Sequence, residues 1–330
     1  GVPFAGTGAE NIASQAQNTF EWVDNLSWFR GRHTWKAGFD IRRYQINDEN
    51  KPQSLRGQYA FDDQLSGFSY ANFLLGLPSG ATRSIARPNA YARSSEFGFY
   101  LQDDFKLAQR ITLNYGLRYE YQTPWVEKYN RLYTFDPSMN AIVTAGNTLP
   151  TDLVPAVVAS LPSIITAKQA GLPVRSLYKS DPFNFSPRIG LAIRPFGNST
   201  TVVRMGYGIY TQMWPGLLAT QNTGGPWQSD QSFIIQNNKP SIQFPNPFVT
   251  TSQYSGLQGV TGLNPDFPNE RTQQWSASVG HQIWNTVIDV AYTGTRAQNI
   301  PYSQNLNLPH PSTSPYNPAT VPFTAFTSVL

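Results

Sequence analysis

Long stretches of alternating apolar and polar side chains are the feature that most restricts how this chain can fold. From Ile111 to Tyr121 each odd-numbered residue is Ile, Leu or Tyr, and the even-numbered residues are Thr, Asn, Gly, Arg and Glu. A period of two puts the two sets on opposite faces of a β-strand. The same pattern recurs along the chain, so the sequence predicts an all-β, antiparallel fold.

The alternating stretches come in pairs that predict four hairpins. The eight strands have about ten residues each and pair as 19–29 with 33–42, 95–105 with 111–121, 188–193 with 203–210, and 273–283 with 287–295. In the last hairpin one face is predicted to hold Trp275, Ala277, Val279, Ile288, Val290 and Tyr292. Strands of soluble proteins usually have about 5–6 residues, whereas tilted strands of about 9–11 residues cross a bilayer.

The connections between strands alternate in length. Turns inside the hairpins are short, but the segments between hairpins, about 45–92, 122–185 and 211–271, are long. Loops longer than ~12–15 residues are uncommon in compact soluble domains, whereas outer-membrane barrels combine short turns on one side with long loops on the other. The sequence therefore predicts an antiparallel transmembrane β-barrel with about eight long strands and long exterior loops, and with the lipid bilayer as a partner.

Such a wall directs apolar side chains to lipid, polar ones to the lumen, and aromatic rings to the headgroup boundary. A chain with 13% charged and 14% aromatic residues suits this arrangement. The residues predicted to face the lumen are Lys36, Asp40, Arg42, Arg118, Glu120, Arg194 and Arg204. The aromatic residues predicted at the headgroup boundary are Trp28, Trp35, Tyr119, Tyr121, Tyr210 and Trp284. A soluble, carbohydrate-binding β-sandwich remains a further alternative.

Composition excludes several other classes. Without cysteine the chain forms no disulfide, thiolate metal site or thiol nucleophile. The mean hydropathy of −0.37, with no apolar run of roughly 18 residues, argues against a transmembrane helix. The opening GVPFAGTGAE does not resemble a signal peptide. A net charge of +4 without long basic runs predicts no nucleic-acid partner.

No residue set predicts catalysis, a cofactor or a metal. The histidines His33, His281 and His310 are not at ligand spacing. In the pairs Asp62-Asp63 and Asp103-Asp104, the two adjacent side chains would point to opposite faces of a strand, so neither pair suits acid–base catalysis. The glycine-containing segments 6–8 and 206–208 lack the strand–loop–helix setting of a phosphate site. We therefore predict that the protein is not an enzyme.

Two segments of the long loops carry weaker signals. In 66–80, helical spacing of Phe68, Ala71, Leu74 and Leu75 predicts a short helix that packs the first loop down. In the third loop, Trp214 and Trp227 lie among amides and glycines. Aromatic platforms of this kind suit sugars or peptides, so these two residues are candidates for ligand binding, with packing of the loop itself as the alternative role.

Five ordered segments resemble one family. They are DNLSWFRGRHTWKAGFDIRRY, YANFLLGLP, FGFYLQDDFKLAQRITLNYGLRYEYQTPW, FSPRIGLAIRPFGNSTTVVRMGYGIYT and NERTQQWSASVGHQIWNTVIDVAYTGT. Together they resemble TonB-dependent outer-membrane receptors, in particular the Oar-like branch with a carboxypeptidase-regulatory-like domain. The resemblance runs from about Thr19 to the end. It implies an outer-membrane location and energy-coupled uptake of an unidentified ligand, with a TonB-type protein acting on a plug.

The chain departs from that family in ways that shape the prediction. Family members have a plug and a TonB box before a barrel of about 22 strands, but here about eight strands and no plug-like opening are found. Asn72 replaces the usual Asp before Phe-Leu-Leu-Gly. Residues 1–330 are therefore predicted to be part of a receptor barrel domain, without the plug and the N-terminal regulatory-like domain. A passive outer-membrane porin or adhesin-like barrel is the alternative.

Three structural expectations follow. The long connections, near Tyr59, Leu153 and Gly225, should lie outside the cell. The short turns, at Gly31, Ala108, Gly197 and Asn285, should lie in the periplasm. The sheet should be curved and partly open, with edges near 19–29 and 287–295 and with poorly packed long loops.

Overall fold

A computed structural model describes residues 14–49, 57–85, 89–196, 200–214, 224–234, 254–255, 259–309, 311, 315, 317–326 and 328–330. Eight long strands dominate it. They are β1 (Gln15–Arg30), β2 (His33–Asp48), β3 (Ala90–Ala108), β4 (Ile111–Gln122), β5 (Asn184–Ile193), β6 (Thr201–Gln212), β7 (Glu270–Ile283) and β8 (Thr286–Gln298). Each pairs antiparallel with the next in chain order. We call this sheet the wall.

The register of the wall gives it one apolar and one polar face. Leu26 of β1 lies opposite Ala37, which lies opposite Leu101, which in turn faces Leu117 of β4. On the same face, a second row begins at Leu113 of β4 and continues through β5 to β8 as Leu191, Met205, Ala277 and Tyr292. The predicted all-β, antiparallel fold is confirmed, and so is the shared face of the last hairpin.

Most wall strands are longer than the ten residues predicted. β1 and β2 have 16 residues each and β3 has 19. Most of the extra length lies at the ends next to the long connections, where β2 extends to Asp48 and β3 begins at Ala90. Alternation ends there, because residues such as Ile46 and Ala92 pack against loop residues. The strand ends were therefore not visible as a period of two.

Smaller elements occupy the long connections. A short strand, Val126–Glu127, pairs with β3. The other short strands form three small sheets. The first consists of Gln58–Ala60, Gly80–Ile85, Ser229–Ile234 and Tyr254–Ser255, and the second of Tyr133–Asp136, Ala141–Thr144 and Ile164–Thr166. The third pairs Gly259–Val260 with Ser328–Val329. The helices are α1 (Ser69–Leu74), α2 (Pro155–Ser160) and the 3₁₀ turns Gly225–Trp227 and Pro318–Thr320. None of the described helices is long and apolar enough to cross a membrane.

The long connections contain the buried core of the molecule. One cluster, the first cluster, consists of Ile46, Ala92, Trp125, Leu132, Val143, Ala145, Ala167 and Leu177. The second cluster consists of Tyr133, Phe135, Ile142, Trp227, Val260, Phe326 and Val329. The strand Ala141–Thr144 contributes to both, since Val143 and Ile142 point to opposite faces. The expectation of poorly packed long loops was therefore wrong for these segments.

The wall is an open sheet in the described part of the chain. β1 and β8 are the two ends of the strand order, and no pairing joins them. Every residue of β1 is exposed along its 16 positions, whereas the inner strands are partly covered by their neighbours. This agrees with the open sheet expected from the sequence.

Candidate functional site

The polar face of the wall carries a row of ion pairs across four strands. The Arg42 guanidinium donates to Glu21 at 2.7 Å and lies 2.6 Å from Asp40. Arg118 lies 3.9 Å from Asp40 and donates to Glu120 at 2.7 Å. We call these five residues the charge row. It follows directly from the register, which places residues of β1 to β4 side by side on one face.

A glycine makes room for the charge row. Gly98 lies between Asp40 and Glu120 in the register. A Cβ at this position would lie 2.6 Å from an Arg118 guanidinium nitrogen, so any other residue would displace that side chain. Gly98 therefore allows Arg118 to lie flat across the strand and reach both carboxylates.

A groove of about 770 Å³ runs along the same face beside the charge row. Its polar lining includes Lys36, Gln102, Asn114, Arg118, Arg188 and Gln274. Glycines at 116, 190, 206 and 208 form part of its floor. Such a surface can bind a polar ligand or a polar protein segment through side-chain hydrogen bonds and ion pairs.

Six of the seven charged residues predicted to face the lumen lie on the polar face of the wall. The seventh, Arg194, and the predicted boundary residue Tyr210 lie elsewhere than the sequence predicted. Arg194 follows the end of β5, where its Nη2 donates to the Gln109 carbonyl at 2.8 Å, so it belongs to the short-turn end. Tyr210 lies on the polar face rather than at an apolar boundary, since it shares that face with Gly208 and Thr272. There the Arg188 guanidinium lies 4.6 Å from its ring centre. Tyr210 is at an even-numbered position of β6, and the even-numbered residues of that strand lie on the polar face.

The first cluster is fixed to the wall by a buried carboxylate. Glu127 is fully buried and accepts hydrogen bonds from the backbone N–H groups of Tyr91, Tyr129 and Arg131 at 3.1, 2.6 and 3.0 Å. The Tyr178 hydroxyl accepts from the Trp125 N–H at 2.7 Å. Burial raises the pKa of Tyr178 to about 12. Sequence reasoning missed both residues, because neither belongs to a motif.

The two tryptophans predicted as ligand candidates lie in different surroundings. Trp227 is 1% exposed within the second cluster, and its Nε1 donates to Asp152 at 2.9 Å. Its ring therefore packs the loops together. Trp214 is half-buried, stands edge-on to Phe267 at 4.1 Å, and lines a cavity of about 760 Å³. Its Nε1 has no hydrogen-bond partner in the part of the chain that the structure describes.

Asp152 links this region to an ion pair. Partial burial alone would raise the pKa of the Asp152 carboxyl, but hydrogen bonds from Trp227 and Arg131 outweigh it and hold the pKa below its usual range. The Arg131 guanidinium lies 2.9 Å from the carboxylate. The carboxylate therefore stays charged at neutral pH and supports the loop that carries Trp227.

The apolar face contains one polar cluster that the sequence did not reveal. Asp103 is fully buried there, and its Oδ2 lies 2.6 Å from His33 Nδ1 and 3.0 Å from the Tyr115 hydroxyl. As predicted, Asp104 points to the other face, where it pairs with Lys36 at 2.7 Å. The three residues come from three strands, so only the register brings them together.

The predicted short helix exists, but its apolar residues do not pack inward. Helix α1 covers Ser69–Leu74, yet Phe68, Leu74 and Leu75 are each about two-thirds exposed. The buried residue is Asn72, whose Nδ2 donates to the Asp62 carbonyl at 2.6 Å. A carboxylate in that position could not donate, so this contact requires the side-chain amide of Asn72.

The remaining predicted positions carry no assembled site in the described ranges. His33 begins β2 and His281 lies within β7, where it bonds Thr201 Oγ1 at 2.7 Å. Nowhere in those ranges do three His, Asp or Glu side chains group closely enough to hold a metal ion. His310, Gly197 and segment 6–8 lie outside the described residues.

Comparison with known proteins places the chain in one family. The family described as outer membrane beta barrel domain matches residues 1–330. No curated protein sequence matches the chain.

Three solved structures are similar at low identity. The FrpB iron transporter from Neisseria meningitidis (F3-3 variant) is 10% identical over 91% of this chain and 30% of that chain, with a TM-score of 0.41. The ferric-catecholate import receptor Fiu from E. coli K12 is 11% identical over 87% of this chain and 32% of that chain, with a TM-score of 0.35. The alcaligin outer-membrane receptor FauA from Bordetella pertussis is 11% identical over 87% of this chain and 48% of that chain, with a TM-score of 0.26. The chain thus spans less than half the length of each.

Proposed function

The chain belongs to the outer membrane beta-barrel domain family, and from this premise we propose that it forms part of the wall and the exterior loops of a TonB-dependent receptor. In this proposal the receptor takes up a ligand by energy-coupled transport without covalent chemistry. The proposal joins the family membership to the resemblance of five sequence segments to the Oar-like branch. Its location in the outer membrane follows from the family itself.

The observation that carries the proposal is the polar face of an open wall. A barrel that closed with these eight strands would have an interior just wide enough for side chains, but β1 and β8 are unpaired ends in the described residues. A wider barrel leaves a polar lumen, and the charge row and groove then line it. Arg42 and Arg118, each beside carboxylates, are held in place to meet polar groups that move through or dock in that lumen.

The domain arrangement is part of the proposal. Residues 1–330 are one section of the receptor's barrel domain. The coupling protein acts on a plug that this section does not include, and the polar face is the surface toward which that plug is directed. A charged lumen wall supports this role, because its guanidinium and carboxylate groups can form hydrogen bonds and ion pairs with polar groups of a plug.

The long connections are proposed to capture the ligand. The cavity beside Trp214 has aromatic and proline walls, which Trp214, Phe267 and Pro268 help to form. A ligand with an apolar surface would pack against these walls. Trp227 supports the site from within the second cluster rather than touching the ligand.

Cysteine labelling in cells that express the full-length receptor tests the topology. The exposed positions Gln58, Thr151 and Asp266, replaced singly by Cys, should react with an impermeant maleimide on intact cells. Cys at Ala108 or Asn285 should react only after the outer membrane is permeabilised. Gly225 itself is unsuitable, because a Cβ there would lie 2.4 Å from the Tyr133 ring. The reverse pattern of labelling would show that the long loops face the periplasm.

Liposome swelling separates an uptake receptor from a passive porin. The purified full-length protein, reconstituted into liposomes, should not let arabinose through, since a plug closes the lumen. A porin would swell the liposomes at the rate of a known general porin measured in parallel. Binding of a purified TonB periplasmic domain to the same protein gives the second readout, and swelling without such binding would favour the porin.

A further inference from the structure

The short-turn end of the wall has an unbalanced charge. The four short turns, 30–32, 109–110, 194–200 and 284–285, contain Arg30, Arg32, Arg110 and Arg194, and no Asp or Glu. The long connections, in contrast, carry acidic and basic residues in nearly equal number. A rim with only cationic side chains favours an anionic partner at that end.

At the β1–β2 turn these charges meet aromatic rings on the apolar face, of which Trp28 is exposed and Trp35 and Phe105 are partly covered. Trp28 lies directly opposite Trp35, and Arg30 lies opposite His33. The Arg30 guanidinium lies 5.7 Å from the Trp28 ring. Phe105 stacks on His33 with ring centres 4.2 Å apart and planes 4° from parallel. With Arg32 these residues line a shallow cavity of about 570 Å³, which we call the turn cavity.

The cationic groups of the turn cavity are available to a ligand. Among the described residues, no carboxylate lies within 4.0 Å of the Arg30 or Arg32 guanidinium. Arg32 uses one nitrogen, Nη1, to donate to the Leu107 carbonyl at 3.2 Å, and this holds the side chain across the turn. Its other N–H groups remain for a partner.

Asp103 holds the His33 imidazole, which lines one side of the turn cavity. The Asp103 Oδ2 accepts from the Tyr115 hydroxyl and lies 2.6 Å from His33 Nδ1, so this contact holds the imidazole against Asp103. The opposite ring nitrogen, Nε2, then faces away from Asp103. Stacking against Phe105 and Trp35 leaves the imidazole little freedom to turn. The aromatic side of the cavity is therefore rigid before any ligand arrives.

We propose that the turn cavity binds the phosphate group of a membrane phospholipid. Arg30 and Arg32 would donate to the phosphate oxygens, because guanidinium groups pair with phosphate in a fork geometry. Trp28, Trp35 and Phe105 would pack against the glycerol and the first methylenes of the acyl chains, at the depth that tryptophan prefers. The apolar face meets the bilayer in this family, so the occupant is a lipid of the adjacent leaflet rather than a soluble protein. The inference does not depend on ligand uptake.

The test is lipid binding by the full-length protein in detergent. Native mass spectrometry with added phosphatidylglycerol should show a retained lipid on the wild type. The double variant Arg30→Gln, Arg32→Gln should bind at least about tenfold more weakly. Lys179→Gln, an exposed cation on a long loop, is the matched control and should bind like the wild type. Both variants change exposed side chains, and heat-modifiable migration on a gel checks that each is folded.

Two further arms identify the source of the phosphate group. Inorganic phosphate at the same concentration should not displace the lipid, and Trp28→Ala should weaken lipid binding. Displacement by inorganic phosphate would replace the lipid site with a free-anion site. Equal binding of phosphatidylglycerol by the double variant and the wild type would overturn the proposal.

Discussion

In the wall, Trp22 and Leu26 leave 55% and 68% of their surface exposed, whereas in the second cluster Phe135 and Ile142 are 2% and 0% exposed. Both regions are rich in apolar residues. The wall turns them outward to lipid and is held together by backbone hydrogen bonds between strands, since hydrocarbon offers the backbone no other partner. The loop clusters turn them inward and are stabilised by burial away from water. The wall thus follows the rules of a membrane protein and the loop clusters those of a water-soluble one. The two regions should therefore respond differently to mutation.

The largest expected effect is a cavity in the second cluster. Phe135→Ala removes a ring that meets Phe323 and Phe326 edge-on, with centres 5.1 and 5.2 Å apart. It should destabilise the loop clusters by about 3–5 kcal/mol. Hydrogen exchange of the full-length protein should show lost protection in the strand Ala141–Thr144 and unchanged protection in β4. Met139→Ala, at an exposed position of the same hairpin, is the control, with a change below about 0.5 kcal/mol. Equal loss in β4 would mean that wall and clusters unfold as one unit.

A charge on the apolar face should have the next largest effect. Leu117 lies between Leu101 and Pro187 on that face. Leu117→Arg should cost about 2–4 kcal/mol near the bilayer midplane, measured by denaturant unfolding in lipid vesicles. Asn114→Arg, on the polar face of the same strand, is the matched control and should cost much less. Position 116 is unsuitable, because a Cβ there would lie 2.9 Å from the Leu101 carbonyl oxygen. Similar costs at 114 and 117 would argue against lipid on the apolar face.

Alkaline pH should weaken the first cluster. In the folded state burial raises the pKa of Tyr178 from 10.0 to about 12. Its neutral form is therefore favoured by folding, so the stabilisation is complete below pH 10 and is lost as pH rises from about 10 to 12. The loss is on the order of 2 kcal/mol. The stability difference between the wild type and Tyr178→Phe should change over that range, as followed by proteolysis of the loops. A difference that stays constant would contradict the assignment to Tyr178.

The smallest expected effect is at acidic pH in the second cluster. The pKa of Asp152 is held below its ordinary 3.8, so the stabilisation is present above about pH 4 and is lost as pH falls below it. Asp152→Asn should remove this dependence and cost about 0.2–1 kcal/mol at pH 7, because the ion pair with Arg131 is partly exposed. Fluorescence of Trp227, which bonds Asp152, reports the change. Asp266→Asn, in a more exposed ion pair with Lys179, should leave that signal unchanged.

The sequence by itself determined the wall. Residues such as those of β4 alternate with a period of two, and this local pattern assigns each side chain to a face wherever one face must be apolar. The short turns also follow from local sequence, since Gly31 adopts a φ of 60° with open space around it. Four of the five segments that carry the family resemblance lie mainly in these strands and turns.

Only the tertiary structure decided which loop residues are buried and which lie beside a cavity. Trp214 and Trp227 look alike in sequence, yet one lines a cavity and the other fills a cluster, because clusters join residues far apart in the chain such as Phe135 and Phe326. The contact of His33, Asp103 and Tyr115 likewise depends on strand register, to which three separate strands contribute. Long-range packing has no period in the sequence. Alternation therefore predicted the faces of the wall, whereas the loop clusters and the polar cluster on the apolar face could be read only from the assembled chain.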